Sequence, residues 1–219
     1  MTTLFRLDAS IRTDGSVTRA VADTLEASVV EELGEVSVVR RDIGLQPLPS
    51  DAWAASVTAG FVPETDWTPA QREARALAAQ VADEIVGADA YVFAVPFYNF
   101  GVAASFKQWF DLAITDPRLA PGVEAPVKGR PAFLVIARGG GYGEGTPRHG
   151  WDHATAWLRR VLVDVWGLDL DVIETELTLA EVTPAMAELR DLARRQLAES
   201  HETARSVGRS VTLKLGAAA

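Results

Sequence analysis

The feature that most constrains this chain is a regular alternation of short apolar runs with amphipathic segments of helical period. Leu4 to Asp8 reads as a first strand and Val36 to Arg40 as a second. Asp89 to Val95, Ala132 to Ala137 and Leu168 to Ile173 read as the third, fourth and fifth. The third and fourth are nearly all apolar, the pattern of parallel strands covered on both faces. Ser16 is a good N-cap, and Val17, Val21, Leu25 and Val29 follow it at i+4 spacing until Gly34 closes the helix. Thr68-Pro69-Ala70-Gln71 is a capping-box signature with proline at the first helical position, backed by a stripe of Ala74, Leu77, Ala78, Val81 and Ile85. Further helices are expected over Ala104 to Ile114 and Trp151 to Trp166, the latter with Leu158, Val161, Leu162 and Val165 inward. A last helix should follow Thr183-Pro184 and bury Leu189, Leu192, Ala193 and Leu197. Such β-α alternation predicts an α/β fold, a doubly wound five-stranded parallel sheet flanked by helices. At 219 residues the expectation is one domain over 1–210, with 211–219 as a loose C-terminal tail.

Composition narrows the function. Asp plus Glu total 30 against 21 Lys plus Arg, a net charge of −9 with no basic cluster, so nucleic acid is not an expected partner. The absence of cysteine excludes disulfides, thiolate metal sites and a cysteine nucleophile. The apolar runs are too short to span a bilayer, and Met1 to Asp8 lacks a signal-peptide pattern, so the expectation is a soluble cytoplasmic protein without a membrane partner. His149 and His153 lie at i, i+4, but no third ligand accompanies them, and no metal site is expected. No G-x-S-x-G elbow is present, and Ser105 has no neighbouring histidine. Asp152 and Asp169 read as solvated charges, and the six tryptophans as core and interface anchors.

Ligands of doubly wound sheets bind at the carboxyl ends of the strands, near the topological switch point. The loop after strand one, Asp8-Ala9-Ser10-Ile11-Arg12-Thr13-Asp14-Gly15-Ser16-Val17-Thr18, has neither a dinucleotide fingerprint nor a P-loop. It offers the hydroxyls of Ser10, Ser16 and Thr18 around a helix N-terminus, a set of neutral donors suited to one terminal phosphate. The plainer reading is that Ser16 only caps the helix. After strand three, Pro96-Phe97-Tyr98-Asn99-Phe100-Gly101 offers stacking surface and an amide for a planar ligand, or else a hydrophobic turn. After strand four, Arg138-Gly139-Gly140-Gly141-Tyr142-Gly143-Glu144-Gly145 lets backbone approach a ligand closely, or is simply flexible. The long stretch from Ile43 to Trp67 reads as functional or interfacial.

Taken together, Ser10…Ser16-x-Thr18, Pro96-Phe97-Tyr98-Asn99-Phe100 and Arg138-Gly139-Gly140 resemble the FMN-dependent NADH azoreductases and NAD(P)H:quinone oxidoreductases of flavodoxin-like fold. Lys107-Gln108-Trp109-Phe110-Asp111 and Gly167-Leu168-Asp169 extend the resemblance over most of the chain, and Pro-x-Tyr-Asn-Phe is its most specific piece. Ala137 departs from it, standing where the family often has serine or threonine. The resemblance implies bound FMN, its phosphate held by Ser10, Ser16, Val17 and Thr18. The flavin ring would lie along Pro96, Phe97, Tyr98, Asn99 and Phe100 and along Ala137, Arg138, Gly139 and Gly140. It implies NADH or NADPH as a transient hydride donor, a quinone or azo compound as acceptor in a second half-reaction, and a homodimer with shared active sites. Asn99 would fix the pyrimidine side of the ring, and glycine-loop amides with Tyr142 would stabilise negative charge arriving there on reduction. Two rival readings are a flavodoxin-type electron carrier and a flavin-free relative that uses the cleft for other chemistry.

Overall fold

The five apolar runs form one parallel sheet in a computed structural model that describes residues 1–218. Strand β1 (Thr2–Asp8) lies between β2 (Val36–Asp42) and β3 (Ala90–Tyr98). Beyond β3 come β5 (Pro131–Ala137) and β6 (Asp169–Thr175), giving the order β2-β1-β3-β5-β6. A two-residue strand, β4 (Gly101–Val102), folds back antiparallel on the end of β3. Strand order reverses between β1 and β3, which is the switch point where a crevice opens at the carboxyl ends.

Alternation along the strands builds a core on each face. Leu4, Val92 and Phe133 pack under α1 (Val17–Leu33) with Val21, Leu25 and Val29. Phe5, Tyr91 and Phe93 face the other way, toward α3 (Pro69–Val86) and α4 (Ala104–Ala113). There Trp109 is fully buried, stacked on Phe5 at 6.2 Å and edge-on to Trp166 at 5.7 Å. The two indole N–H groups find no acceptor among the described residues.

Where local signals were strong, boundaries follow them. Ser16 caps α1, Gly34 ends it, and Thr68 and Gln71 form the reciprocal capping box of α3. Four expectations change. The 43–67 stretch is not an open loop, because α2 (Ala52–Ala59) forms within it and Trp67 Nε1 donates to Ala59 O at 2.8 Å. The helix expected from Trp151 starts only at Thr155, because Asp152 Oδ1 accepts from the amides of Ala154 and Thr155 and thereby sets the first turn. This helix, α5 (Thr155–Arg159), runs on as a π-helical segment over Arg160–Val165. After Thr183 comes a 3-10 turn, Pro184–Leu189, and then α6 (Arg190–Arg209). Thr183 makes no side-chain cap, and Leu189 and Leu192 remain 39% exposed while Ala193, Ser200 and Ala204 face inward. The supposedly loose tail is a helix, α7 (Val211–Ala218), whose Val211 is fully buried against the α1 side of the sheet. Ala219 lies outside the described residues.

Candidate active site

The crevice at the switch point is a cleft of about 560 Å3 including its open mouth. Ser10, Arg12, Gly15, Ser16, Val17 and Thr18 line one end, and Pro96, Phe97, Tyr98, Ala137, Gly139, Thr178 and Leu179 line the rest.

At the first end the chain leaves β1 and enters α1. Ser10, Ser16 and Thr18 are buried, with Ser16 Oγ and Thr18 Oγ1 only 3.3 Å apart. Ser16 Oγ accepts from the Arg19 amide at 3.5 Å, as a cap should. The amides of Gly15, Ser16, Val17 and Thr18 find no acceptor among the described residues. Adjacent free N–H groups beside hydroxyls at a helix start form an anion site, and a phosphate monoester matches that donor set. Tyr98 closes this end, its hydroxyl accepting from the Ile11 amide at 3.3 Å and lying 3.5 Å from Ser10 Oγ.

The other end is built from planar and small groups. Pro96 and Phe97 continue β3 to its last residue, Tyr98. Asn99 and Phe100 then form a two-residue turn, with φ of +49° and +68°, that joins β3 to β4. Two positive φ values suit the right-handed twist of a hairpin, and asparagine tolerates one easily; phenylalanine does so rarely. Both residues are exposed at the tip rather than lining the cleft, and the Phe100 ring packs edge-on against Trp151 at 5.6 Å. Gly139 does line the cleft, where a Cβ would lie 2.7 Å from Leu179 Cδ1 and would push that side chain aside.

Three expected roles need correction. Arg138 is only 4% exposed, and its guanidinium is taken up by carboxylates rather than by a ligand. It donates to Asp152 at 3.0 Å, to Glu174 at 3.1 Å and to Thr155 Oγ1 at 2.7 Å, with Glu176 at 3.5 Å. Burial disfavours its charge, but Glu174 and Asp152 more than offset this and leave its pKa raised. Asp152 is accordingly no solvated charge. Burial opposes its ionisation, yet Thr155, the Ala154 amide and Arg138 hold its carboxyl below the usual range. Asp169 is partly exposed but paired, with Lys214 at 2.8 Å.

Tyr142 is the third. It is 9% exposed and does not line the cleft. Its ring meets Phe97 edge-on at 4.7 Å, and its hydroxyl accepts from Arg148 at 3.4 Å. Gly140 also stays outside the lining, and its carbonyl accepts from the Leu177 amide.

Thr178 and Leu179 were not legible as site residues. They follow β6, and their amides donate to Arg138 O and Gly139 O, which lays the loop along the glycine-rich segment. No glycine, aromatic or hydroxyl cluster marks that loop in the sequence. Arg12 lines the cleft as well, and nothing in the sequence separates it from other surface arginines.

The family described as having a flavodoxin-like fold matches residues 1–199. A curated relative from Frankia casuarinae, named FMN-dependent NADH:quinone oxidoreductase, is 35% identical over 92% of this chain and 96% of its own. The crystal structure of an azoreductase from Bacillus anthracis str. Sterne aligns with a TM-score of 0.77 at 22% identity, covering 96% of this chain and all 100% of its own. An FMN-dependent NADH-azoreductase from Bacillus anthracis str. Ames Ancestor, in complex with FMN, aligns with a TM-score of 0.73 at 16% identity over 95% of this chain and 100% of its own. At those identities the two structures speak for the fold alone.

Proposed function

The chain belongs to the family of flavodoxin-like fold that includes curated FMN-dependent NADH:quinone oxidoreductases, and from that premise we propose that it is itself such an enzyme. It takes hydride from NADH or NADPH and passes the electrons to quinones or azo compounds in a second half-reaction. One observation carries this reading: a single cleft joins four unpartnered amides and three buried hydroxyls to a wall of Pro96, Phe97, Tyr98, Ala137 and Gly139. A phosphate monoester fits the first end and a planar ring the second, which is the shape of FMN. FMN, when bound, supplies the two-electron hydride chemistry that amino-acid side chains lack.

The chain's own residues bind and orient. Ser10, Ser16 and Thr18, with the Gly15 to Thr18 amides, hold the phosphate. Phe97 and Tyr98 would offer the ring an apolar wall, with Gly139 and Leu179 lining the same cleft. Asn99 offers an amide at the mouth. A nicotinamide nucleotide visits without staying, since the β1 turn has no dinucleotide fingerprint.

The working unit in this reading is a cytoplasmic homodimer. Trp53 at 47%, Phe61 at 79%, Phe100 at 42% and Trp151 at 52% exposure are apolar surface that a second copy would cover. No helix among the described residues is long and apolar enough to cross a membrane.

The test is spectral. Purified protein incubated with FMN and desalted should keep the visible flavin band, lose it on adding NADH and regain it with benzoquinone. A protein that keeps the band but ignores NADH would be an electron carrier instead. One that stays colourless would be a flavin-free relative.

A further inference from the structure

The loop that follows β1 is shaped by one guanidinium from α1. Arg19 Nη2 donates to Ser10 O at 2.7 Å and Nε donates to Arg12 O at 2.9 Å. The same group is gripped by Asp42, the last residue of β2, through Nη1 at 2.7 Å and Nη2 at 3.0 Å. Asp42 is fixed in turn, because its Oδ1 also accepts from the amides of Gly44 and Leu45 at 3.1 and 2.9 Å. Burial opposes the charge on Asp42, but Arg19 and those amides outweigh it and keep its carboxyl below the usual range. Backbone touches backbone at this point: a Cβ on Gly44 would lie 2.0 Å from Ser10 O.

The chemistry of this contact favours an anion in the cleft. Carbonyl oxygens beside an anion site repel the ligand, and Ser10 and Arg12 line the same end of the cleft as Gly15 to Thr18. Arg19 occupies both carbonyls. A planar guanidinium holds them in one geometry, which a flexible ammonium cannot do. The pair with Asp42 largely neutralises the charge of Arg19, so its effect is on loop shape more than on long-range field.

We propose that Arg19, locked by Asp42, is a positioning residue for the phosphate of the bound flavin nucleotide, holding the cradle in its binding form before the ligand arrives. This rests on the FMN reading of the cleft. Arg19 acts through the loop, so its effect falls on the phosphate and not on the ring.

Riboflavin, which has the same ring without the phosphate, is the discriminating probe. Wild type, Arg19→Ala, Arg19→Lys and Asp42→Asn, all as apoprotein, are titrated with FMN and with riboflavin by flavin fluorescence, and their melting curves are recorded. Arg19→Ala should weaken FMN by about tenfold or more, the scale of losing charge-assisted bonds, while riboflavin changes less than about twofold. Asp42→Asn should shift FMN in the same direction by less, and Arg19→Lys should recover only part of the loss. Equal weakening of both flavins, or no selective loss of FMN in any variant, overturns the clamp; if Arg19→Ala does not fold, Arg19→Lys and Asp42→Asn decide by the same ratio. Wild type that binds neither flavin, or binds both equally, instead overturns the FMN reading.

Discussion

Replacing Arg138 by methionine separates a buried structural cation from a flavin-binding one. The methionine chain fills most of the same space but leaves Asp152, Glu174 and Glu176 without their shared partner. Glu174 is 45% exposed at its side chain and can rehydrate, whereas Asp152 and Glu176 are both at 18%. Removing one member of a buried pair typically costs about 3–5 kcal/mol. Partial exposure of the carboxylates places Arg138→Met near the low end, at about 3 kcal/mol. For a chain of this size each kcal/mol is worth about 2–4 °C, so the melting temperature should fall by roughly 6–12 °C. Differential scanning calorimetry of the apoprotein reads this directly, and adding Glu174→Gln should recover part of the loss. FMN affinity, measured well below the melting transition, should change by less than about threefold, since no bond of the guanidinium reaches the cleft. A melting temperature within about 2 °C of wild type, or a selective loss of FMN in a stable variant, would refute the reasoning.

Three further outcomes are expected. Alanine at both Ser16 and Thr18 should weaken FMN by about tenfold or more per lost bond and leave riboflavin nearly unchanged, as competition titration would reveal. Tyr142→Phe should reduce its flavin at a rate within about twofold of wild type in stopped flow, because the hydroxyl meets Arg148 and not the cleft; a slowing of about tenfold or more would return Tyr142 to the reaction. Asp42, Asp152 and Asp116, which Arg118 pairs at 2.9 Å, all ionise below the ordinary value in the folded state, so the stability they contribute is present above about pH 3.9 and is lost as pH falls through their lower folded values. Urea midpoints should therefore be flat with respect to these groups from neutral pH down to about 5 and drop below about 4, and a midpoint insensitive to acid would contradict the ion pairs.

How much was legible in advance depended on how far each signal reached along the chain. Ser16 and Thr68 announced their helices because a cap acts within three residues, and the strands announced themselves because burial on both faces demands continuous apolar sequence. The start of α5 was missed because apolar spacing begins before the helix does, and Asp152 stops it from propagating backward. Helix α7 was missed because Val211-Thr212-Leu213-Lys214-Leu215 has little periodicity of its own; only the sheet and α1 beside it make burial of Val211 worthwhile. Arg138 was placed along the ring only by the family resemblance. Its true partners lie 14, 36 and 38 residues away, beyond anything spacing can show.

The same distinction divides the site itself. The end proposed for the phosphate is nearly contiguous, and sequence could point to it because one strand-to-helix turn, Ser10 to Thr18, supplies its hydroxyls and free amides. The ring end is assembled from the ends of β3, β5 and β6, which meet only after the sheet has closed. That difference bears on what each end can do. The phosphate end is rich in donors. At the ring end Ala137 contributes no hydroxyl, and the proton of Thr178 Oγ1 is already given to Arg138 O at 3.1 Å. Thr178 can therefore accept a hydrogen bond at the cleft but cannot donate one. In the FMN reading, donors for charge arriving on the ring would come from backbone N–H groups, from the Asn99 amide at the mouth or from a second copy of the chain. In the FMN reading, affinity would be concentrated where the ligand's charge does not change, and the reacting end would be comparatively apolar. Bonds to the phosphate would hold the oxidised and reduced forms alike, whereas a bond at the ring that is stronger in one redox state would shift the balance between the two.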